Sequence, residues 1–337
     1  MMLSIFRPLL ALLLTGTFAF AQSEPVLFTA AAFTKAQKNS SIPTDAGIFI
    51  RLPDKGWTPY GPKIQQIASA SVDPSDSRRI FLACGNGIVR STDGGQSWRM
   101  VTDWRVSDVT AIVIDPSNGN NIYAASGWGL VRSQDGGETW ENINTGIDER
   151  FSKTIKLDPR NPRRLLAGTG EGLFESTNRG HKWKRIKDVP AGHVLRLRHG
   201  NAKSGVWLVV TEGHGAWLSH DAGKTWQQTA QAAGDANLYA CAVDPHNAQN
   251  LAVGGWTVGV LTSIDGGKTW QSRREGLPSP NVLTLTYDSN DPGKLWAASF
   301  EEGTVWSEDA GATWEDGGLY GALTNDLGFL TLAKNTR

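Results

Sequence analysis

The stretch Ser133-Gln134-Asp135-Gly136-Gly137-Glu138-Thr139-Trp140 is one of six copies of a Ser-x-Asp-x-Gly-x-Thr-Trp motif in this chain of 337 residues. Successive copies lie 42 to 44 residues apart and begin at Ser91, Ser133, Ser176, Ser219, Ser263 and Ser307. A period of about 40–45 residues is typical of a four-stranded β-sheet repeated around a ring. The repeat therefore predicts an all-β protein assembled from similar sheets.

The second repeat shows how one such sheet is encoded. Its predicted inner strand is Val109–Ile114, which Asp115-Pro116 ends because proline lacks the N–H that another strand residue would donate. Three further strands are predicted at Asn121–Ala125, Leu130–Ser133 and Glu138–Ile143. In the repeated motif the Asp carboxylate is expected to accept backbone N–H groups of its own turn, and Gly allows a positive φ. The motif is therefore predicted to be structural.

A degenerate seventh copy lies near the N-terminus, where Asp54-Lys55-Gly56-Trp57 keeps the Asp and Gly of the motif. At the other end, Asp326–Leu332 aligns with the inner strand of the second repeat but has no sheet of its own. The C-terminus is therefore predicted to give a last sheet its inner strand, and residues 25–60 the rest, which leaves no open edge. The prediction is an all-β, seven-bladed β-propeller of four-stranded antiparallel blades. It occupies residues 22–337 as a single domain, with residues 31–44 as a loop.

Charge and composition narrow the class of protein. The 33 basic residues balance the 33 acidic ones, so no overall field favours nucleic acid as a partner. Residues 1–21 are typical of a signal peptide, with Arg7, an apolar stretch and an Ala19-Phe20-Ala21 cleavage site. We therefore expect a secreted or periplasmic protein with no stable membrane span after cleavage. Cys84 and Cys241 lie on different repeats and are expected to be buried thiols, not a disulfide.

Alternation along the inner strands separates residues that pack between blades from residues that line the central channel. Lys156, Arg196 and Arg198 fall in the channel-lining set on adjacent repeats, and Phe329 and Thr331 fall in it on the last strand. Guanidinium and ammonium groups together suit a carboxylate, a phosphate or an acidic side chain. The alternative is that these side chains fill a water-filled channel and pair locally.

The turns of the blades sort onto two faces of the ring. Loops from an outer strand to the next inner strand share a face with loops between second and third strands. The Asp-Pro turns after the inner strands and the turns of the repeated motif lie on the opposite face. The first face, named the loop face here, is rich in Trp and Arg, which dominate binding hot spots; Trp also stacks on sugar rings. Its candidate binding residues are Trp104, Arg105, Trp128, Glu171, His214, Trp256 and Arg273. The alternative is ordinary loop polarity, with Trp covering the end of the core.

No catalytic constellation stands out in the sequence. It contains no Gly-x-Ser-x-Gly elbow, no HExxH motif and no phosphate loop, and we predict neither a metal site nor a cofactor. A glycosidase would need two carboxylates at a defined separation, which the sequence does not supply. The loop-face carboxylates available for that role are Glu171, Glu212, Glu301 and Glu302.

The six motifs resemble Asp boxes, also called BNR repeats, over nearly all of the chain after the signal. Sialidases carry them on six-bladed rings with an active-site Arg-Ile-Pro segment; Arg51-Leu52-Pro53 is similar but coincides with the degenerate turn. Xyloglucanases have similar repeats on two rings, and sortilin-type receptors are larger and add a cysteine-rich module. In size and layout the chain is most similar to photosystem II assembly-factor propellers, single rings that bind another protein. Basic ring residues contact the partner in that family, which implies such a role for Arg196 and Arg198.

Two functional hypotheses follow from these observations. The first is a secreted, monomeric and non-enzymatic propeller that binds a protein partner or assists assembly through the loop face. The second is a carbohydrate-active protein, either a glycoside hydrolase of the xyloglucanase or sialidase type or a glycan-binding lectin.

Overall fold

The computed structural model describes residues 24–32, 46–234 and 236–333. Within these ranges the chain forms seven four-stranded antiparallel sheets, and its one helical segment is a short 3-10 turn at Gln231–Ala233. The sheets are the blades of a ring, which confirms the predicted all-β, seven-bladed propeller. The predicted signal peptide at residues 1–21 lies outside the described residues. No helix in the described ranges has the length and apolar character needed to cross a membrane.

The N-terminal strands and the first three complete blades follow each other along the chain. The N-terminal strands are β1 (Val26–Ala32), β2 (Gly47–Leu52) and β3 (Gly56–Tyr60). Blade 1 contains β4 (Ile67–Asp73), β5 (Asp76–Cys84), β6 (Gly87–Ser91) and β7 (Arg99–Met100). Blade 2 contains β8 (Val109–Ile114), β9 (Ile122–Ser126), β10 (Gly129–Ser133) and β11 (Glu141–Asn142). Blade 3 contains β12 (Ser152–Asp158), β13 (Asn161–Thr169), β14 (Gly172–Ser176) and β15 (Lys184–Arg185).

Three further blades and one C-terminal strand complete the ring. Blade 4 contains β16 (Val194–His199), β17 (Trp207–Thr211), β18 (Ala216–Ser219) and β19 (Gln227–Thr229). Blade 5 contains β20 (Leu238–Val243), β21 (Leu251–Gly255), β22 (Gly259–Ser263) and β23 (Gln271–Ser272). Blade 6 contains β24 (Val282–Tyr287), β25 (Leu295–Ser299), β26 (Gly303–Ser307) and β27 (Glu315–Gly318). The last strand is β28 (Leu323–Leu330).

Blade 7 is made from both ends of the chain, in the strand order β28-β1-β2-β3. Strand β1 pairs antiparallel with β28, from Val26 opposite Leu330 to Ala32 opposite Leu323. This pairing confirms that C-terminal and N-terminal segments complete one blade. The predicted loop at residues 31–44 starts too early, because Ala31 and Ala32 still belong to β1; the rest of it lies outside the described residues.

The predicted register of β28 is wrong by three residues. Leu327 and Phe329 pack against Trp296 of blade 6, so Phe329 lies between blades and does not line the channel. The register shifts where Thr324 and Asp326 pair with consecutive residues of β1, which makes Asn325 an extra residue of the strand. With that shift, Asp326 takes the channel-facing position that the sequence predicted for Phe329.

The repeated Asp turns are explained by their own hydrogen bonds. In blade 2, Asp135 accepts the backbone N–H of Thr139 at 2.9 Å and the Thr139 hydroxyl, which together lower the pKa of Asp135 to about 2. In blade 3 the hydroxyl position is Lys182, and the acidic position is Asn178, which still accepts the Lys182 backbone N–H at 3.0 Å. The carboxylate is thus absent where its hydroxyl partner is absent, which supports a structural role for the motif.

The same turns also hold neighbouring blades together, a role that the sequence did not indicate. Arg90 of blade 1 donates to the Gly136 carbonyl oxygen in the Asp turn of blade 2 at 2.7 Å. Arg132 of blade 2 donates to the Arg179 carbonyl oxygen of blade 3 at 2.8 Å, and Arg164 of blade 3 binds the turn of blade 4 in the same way. These bonds satisfy buried carbonyl groups and add directional contacts to the apolar packing between the sheets.

Packing between adjacent sheets forms the core. The inner strands send Ile112, Ile155 and Leu197 against the preceding blade in each case. Cys84 and Cys241 are both buried in this core as free thiols, which confirms the prediction for the two cysteines. Burial raises the pKa of Cys241 to about 11, so its thiol is neutral at physiological pH.

Candidate functional site around the central channel

A bulge near the start of every inner strand shapes the loop-face end of the channel. In blades 1 to 6 the pairing between the inner strand and the second strand shifts directly after the first residue of the inner strand. The next residue of the inner strand is therefore an extra one, with no counterpart on the second strand. These extra residues are Ala68, Thr110, Lys153, Leu195, Tyr239 and Leu283. A bulge re-aims the side chain that it inserts, so Lys153 leaves the alternation of its strand.

Lys153 is the residue that strict alternation missed. A perfect strand would place it on the side of Ile155 and Leu157, which are buried against blade 2. Instead Lys153 is exposed and lines a cavity of about 260 Å³ at the mouth of the channel. Arg196 of the neighbouring blade and Asn325 of β28 line the same cavity.

The three predicted basic residues do come together in the channel. Arg198 lies two residues beyond Arg196 on β16, and Lys156 occupies the equivalent level on β12. Burial and, to a smaller extent, the nearby Arg198 together lower the pKa of Lys156 to about 8. Partial loss of hydration at the channel mouth also lowers the pKa of Lys153, with a smaller contribution from Arg196. The ammonium groups of both lysines are thus less favourable here than in water.

Asp326 is the buried counter-ion of the channel, a role that the sequence did not indicate. Its Oδ1 atom accepts from Arg196 Nη1 and from Arg198 Nη2, each at 3.3 Å. Arg196 also donates to the Asn325 carbonyl oxygen at 3.3 Å, so the two arginines of blade 4 reach across the channel to β28. The correct register of β28 was the signal needed to find Asp326, because only that register places it in the channel.

Positive charge exceeds negative charge in the described part of this channel. Lys153, Lys156, Arg196 and Arg198 face one buried carboxylate, Asp326. Asp108 adds a second carboxylate at the exposed rim, where its side chain packs over Gly127 of the adjacent loop. His199 lies at the far end of β16, where burial lowers its pKa to about 4, so it is neutral at pH 7. The channel is therefore electropositive.

The loop face presents its predicted aromatic residues to solvent. Trp104 is 82% exposed, Trp128 61% and Trp256 43%. The Trp128 indole N–H donates to Ser107 Oγ at 3.1 Å, and Trp256 packs edge-on against Phe300 with 5.3 Å between ring centroids. Trp104 and Trp128 lie on the side of blades 1 and 2, and Trp256 lies across the ring on blade 5. The antiparallel strand order places all three on one face, with the channel mouth between them.

The other predicted loop-face residues differ in their surroundings. Arg105 is exposed and lies 5.8 Å from the Trp104 ring centroid, and His214 is also exposed. Glu171 is half-buried in a turn where its backbone N–H donates to Thr169 Oγ1 at 3.1 Å. These residues surround the channel mouth without forming a shared pocket among the described contacts.

Arg273 is the predicted residue that the structure places elsewhere. Its Nε donates to Thr262 Oγ1 at 3.1 Å and its Nη2 to Gln271, and its stem packs over Gly311 in the Asp turn of blade 6. The Arg273 side chain therefore lies between blades 5 and 6, where it contributes to blade packing and does not belong to the loop face.

One carboxylate of the loop face is paired with a histidine. Glu212 is paired with His193 Nδ1 at 2.9 Å on the loop face. No group of three or more His, Cys, Asp or Glu residues with the geometry of a metal site occurs among the described residues.

Comparisons with known proteins identify similar folds. No protein-family model and no curated protein matches the chain. A GH74 enzyme from Niastella koreensis aligns with a TM-score of 0.67 at 17% identity, over 87% of this chain and 54% of that enzyme. The GH74 xyloglucanase from Xanthomonas campestris aligns with a TM-score of 0.66 at 18% identity, over 92% of this chain and 55% of the enzyme. The chain thus spans about half the length of these enzymes.

A third similar structure is YCF48 bound to D1 peptide. It aligns with a TM-score of 0.53 at 21% identity, over 74% of this chain and 81% of YCF48. At such identities the likeness concerns the fold alone, and it agrees with the propeller fold that the sequence predicted.

Proposed function

We propose that this protein is a non-enzymatic, exported propeller that binds a protein partner through its loop face. The observation that carries the proposal is the exposure of Trp104, Trp128 and Trp256 around the channel mouth. Tyr320 on the same face is 81% exposed and belongs to the same surface. Exposed large aromatic residues that surround an electropositive opening have the composition of a binding hot spot.

The energetics of these residues favour a partner over a purely structural role. A Trp ring that stays in water forgoes most of the stabilisation of burial, whereas burial at an interface contributes about 2 kcal/mol or more for a hot-spot residue. The Asp-turn residues Trp183 and Trp226 are by contrast buried at 2% and 5% exposure, where they stabilise the blades. Trp104, Trp128 and Trp256 are far more exposed than these two residues.

The comparison with YCF48 supports the same class of function. Its structure with a bound D1 peptide shows that a propeller of this fold can hold a peptide. The signal peptide expected at residues 1–21 supports export, and we propose that the protein acts as a monomer outside the cytoplasm.

Partner capture with matched variants tests the proposal. The wild-type protein, immobilised on resin, is expected to retain a specific protein from an envelope extract of the source cells. Trp128→Ala combined with Trp256→Ala should abolish retention, while Ile264→Ala should not, because Ile264 is 63% exposed on the opposite face. Circular dichroism of each variant serves as the control for folding. Equal retention by the double Trp variant would refute the loop face as the binding surface.

Carbohydrate binding or hydrolysis is the second candidate function. It is favoured by the similarity to GH74 enzymes and by exposed Trp128 and Trp256, since aromatic faces stack on sugar rings. A panel of glucans and sialosides, measured for reducing-sugar release and for retention on a glycan array, separates the two candidates. Retention or release that disappears with the double Trp variant would favour this second function.

A further inference from the structure

The cations of the channel have more hydrogen-bonding capacity than the described protein groups satisfy. A guanidinium group carries five N–H donors, and charge-assisted bonds from it to a carboxylate are typically about 2.7–2.9 Å long. Arg196 and Arg198 instead share one oxygen of Asp326, each at 3.3 Å. The remaining bonds of Arg196 are contacts of 3.3 and 3.5 Å to carbonyl oxygens. Neither arginine has a close bidentate partner within the described residues.

The two lysines of blade 3 add charge without a counter-ion of their own. Among the described residues, Lys153 and Lys156 have no ion pair and no side-chain hydrogen bond. Lys156 is half-buried in the channel, and a cation that is partly removed from water without a partner is costly. Such an arrangement is favourable only when something else supplies the negative charge.

We propose that the channel is a binding site for a small, free oxyanion with at least two negative charges, such as phosphate or a di- or tricarboxylate. Arg196 and Arg198 would donate to its oxygens from blade 4, and Lys153 and Lys156 from blade 3. This site goes beyond the proposed function, since it lies within the ring and uses none of the loop-face tryptophans.

The shape of the channel favours a small ligand over a protein surface. The side chains of Arg196 and Arg198 are only 18% and 21% exposed, so they are recessed below the loop face. Lys153 and Arg196 line the cavity of about 260 Å³ at the mouth, which is large enough for phosphate or citrate and too narrow for a folded partner. Lys156 and Arg198 lie further along the channel on the same two strands. A planar guanidinium also favours an oxyanion with two oxygens in register over a spherical halide.

Titration calorimetry of the full protein at constant ionic strength tests this proposal. Sodium phosphate and sodium citrate are titrated separately, with sodium chloride as the balancing salt and sodium acetate as a singly charged control. One saturable site is expected, with citrate at least about tenfold tighter than acetate, because more of the excess charge is neutralised. Each tight anion should also raise the thermal unfolding midpoint.

Three variants identify the residues of the site. Lys156→Met is expected to weaken phosphate and citrate binding at least about tenfold while folding normally, since it removes a buried charge. Arg198→Lys keeps the charge, loses the fork and should also weaken binding. Lys224→Met, which changes an exposed lysine on the opposite face, should bind as the wild type does.

The anion site in the channel and the protein-binding function of the loop face can be refuted independently. Absence of saturable phosphate and citrate binding at about 10 mM, or equal binding by Lys156→Met, would overturn the channel site. Binding of a hexaglutamate peptide through these residues, with neither phosphate nor citrate bound, would also overturn it and assign the cations to a macromolecular partner. Loss of partner capture by the loop-face Trp variants would leave the anion result unchanged.

Discussion

The substitution Asp326→Asn tests the electrostatics of the channel most directly. Asparagine has nearly the same shape and keeps an acceptor oxygen, but it removes the buried carboxylate that both Arg196 and Arg198 contact at 3.3 Å. Asp326 is 6% exposed and lies on β28, the strand that closes the ring. Its backbone carbonyl oxygen accepts from Thr29 Oγ1 at 3.0 Å, a contact that the substitution leaves in place.

The structure sets the size of the expected loss. Removal of one partner from a fully buried ion pair costs about 3–5 kcal/mol, because the other charge stays buried without compensation. The two arginine side chains are 18% and 21% exposed and their contacts are long, so solvent screens part of that cost. We therefore expect Asp326→Asn to lower the free energy of unfolding by about 2–3 kcal/mol.

Urea denaturation followed by tryptophan fluorescence at pH 7 measures this loss. Asp108→Asn is the matched control, because Asp108 is exposed at the channel rim and its φ of 49° is one that asparagine tolerates. The control should change the free energy by no more than about 0.5 kcal/mol. Arg198→Met should cost less in the Asp326→Asn background than in the wild type, since the charge that it removes has already lost its partner. A loss below about 1 kcal/mol for Asp326→Asn, or strictly additive effects of the pair, would refute the reasoning.

Three further predictions concern the turns, the blade contacts and the buried lysine. Asp135→Asn should lower the free energy of unfolding by about 1 kcal/mol at pH 7. That difference should vanish as the pH falls from about 4 to 2, where the native wild-type carboxyl is itself protonated, and urea unfolding across this range checks it. Arg132→Met should cost about 2–3 kcal/mol in urea unfolding, because a buried carbonyl loses its donor, whereas exposed Arg99→Met should cost less than about 0.5 kcal/mol. Lys156→Met should stabilise the protein by up to about 3 kcal/mol at pH 7. The native pKa lies below the unfolded one, so this gain should be complete below pH 8 and disappear as the pH rises towards 10.5, which thermal unfolding against pH would show.

The groups that face Lys156 determine whether a pH-dependent change in stability can be assigned to this lysine. The charged and titratable neighbours that act on it are Arg196, Arg198, Asp326, Cys241 and His199. Burial keeps the Cys241 thiol and the His199 ring neutral at pH 7, whereas the arginines stay charged. A change in stability between pH 8 and 10.5 that Lys156→Met removes can therefore be assigned to Lys156.

The fold was predictable because each repeat carries a local signal. The Asp turn depends on hydrogen bonds within about five residues, as between Asp135 and Thr139. It can therefore be recognised from a short sequence motif. Antiparallel order then determines which loops share a face, and this gave the correct side of the ring for Trp104, Trp128 and Trp256. The outer strands were predicted too long, since Glu138–Ile143 contains only the two-residue strand β11.

The channel was less predictable because bulges and long-range pairing shape it. Lys153 faces the mouth only because a bulge interrupts the alternation of β12, and nothing in the residue types around it marks that bulge. Asp326 was assigned to the wrong register since β28 has no turn motif of its own and gains its register by pairing with β1, almost 300 residues away. Arg273 was assigned to the loop face from its position in a loop, whereas its side chain folds back onto Gly311 of blade 6.

The positions of the channel cations and of their counter-ion along the chain have a consequence for how the site forms. The cations lie on β12 and β16 in the middle of the chain, and their buried counter-ion lies on β28 at the end of the described chain. Before β28 pairs with β1, Arg196 and Arg198 have no described carboxylate within reach and would repel each other. Pairing of β28 therefore closes the sheet and neutralises part of the channel in one step. An oxyanion that occupies the same channel would lower the remaining repulsion, so it should stabilise the closed ring in particular, and protection of β28 amides from hydrogen exchange should increase when phosphate is bound.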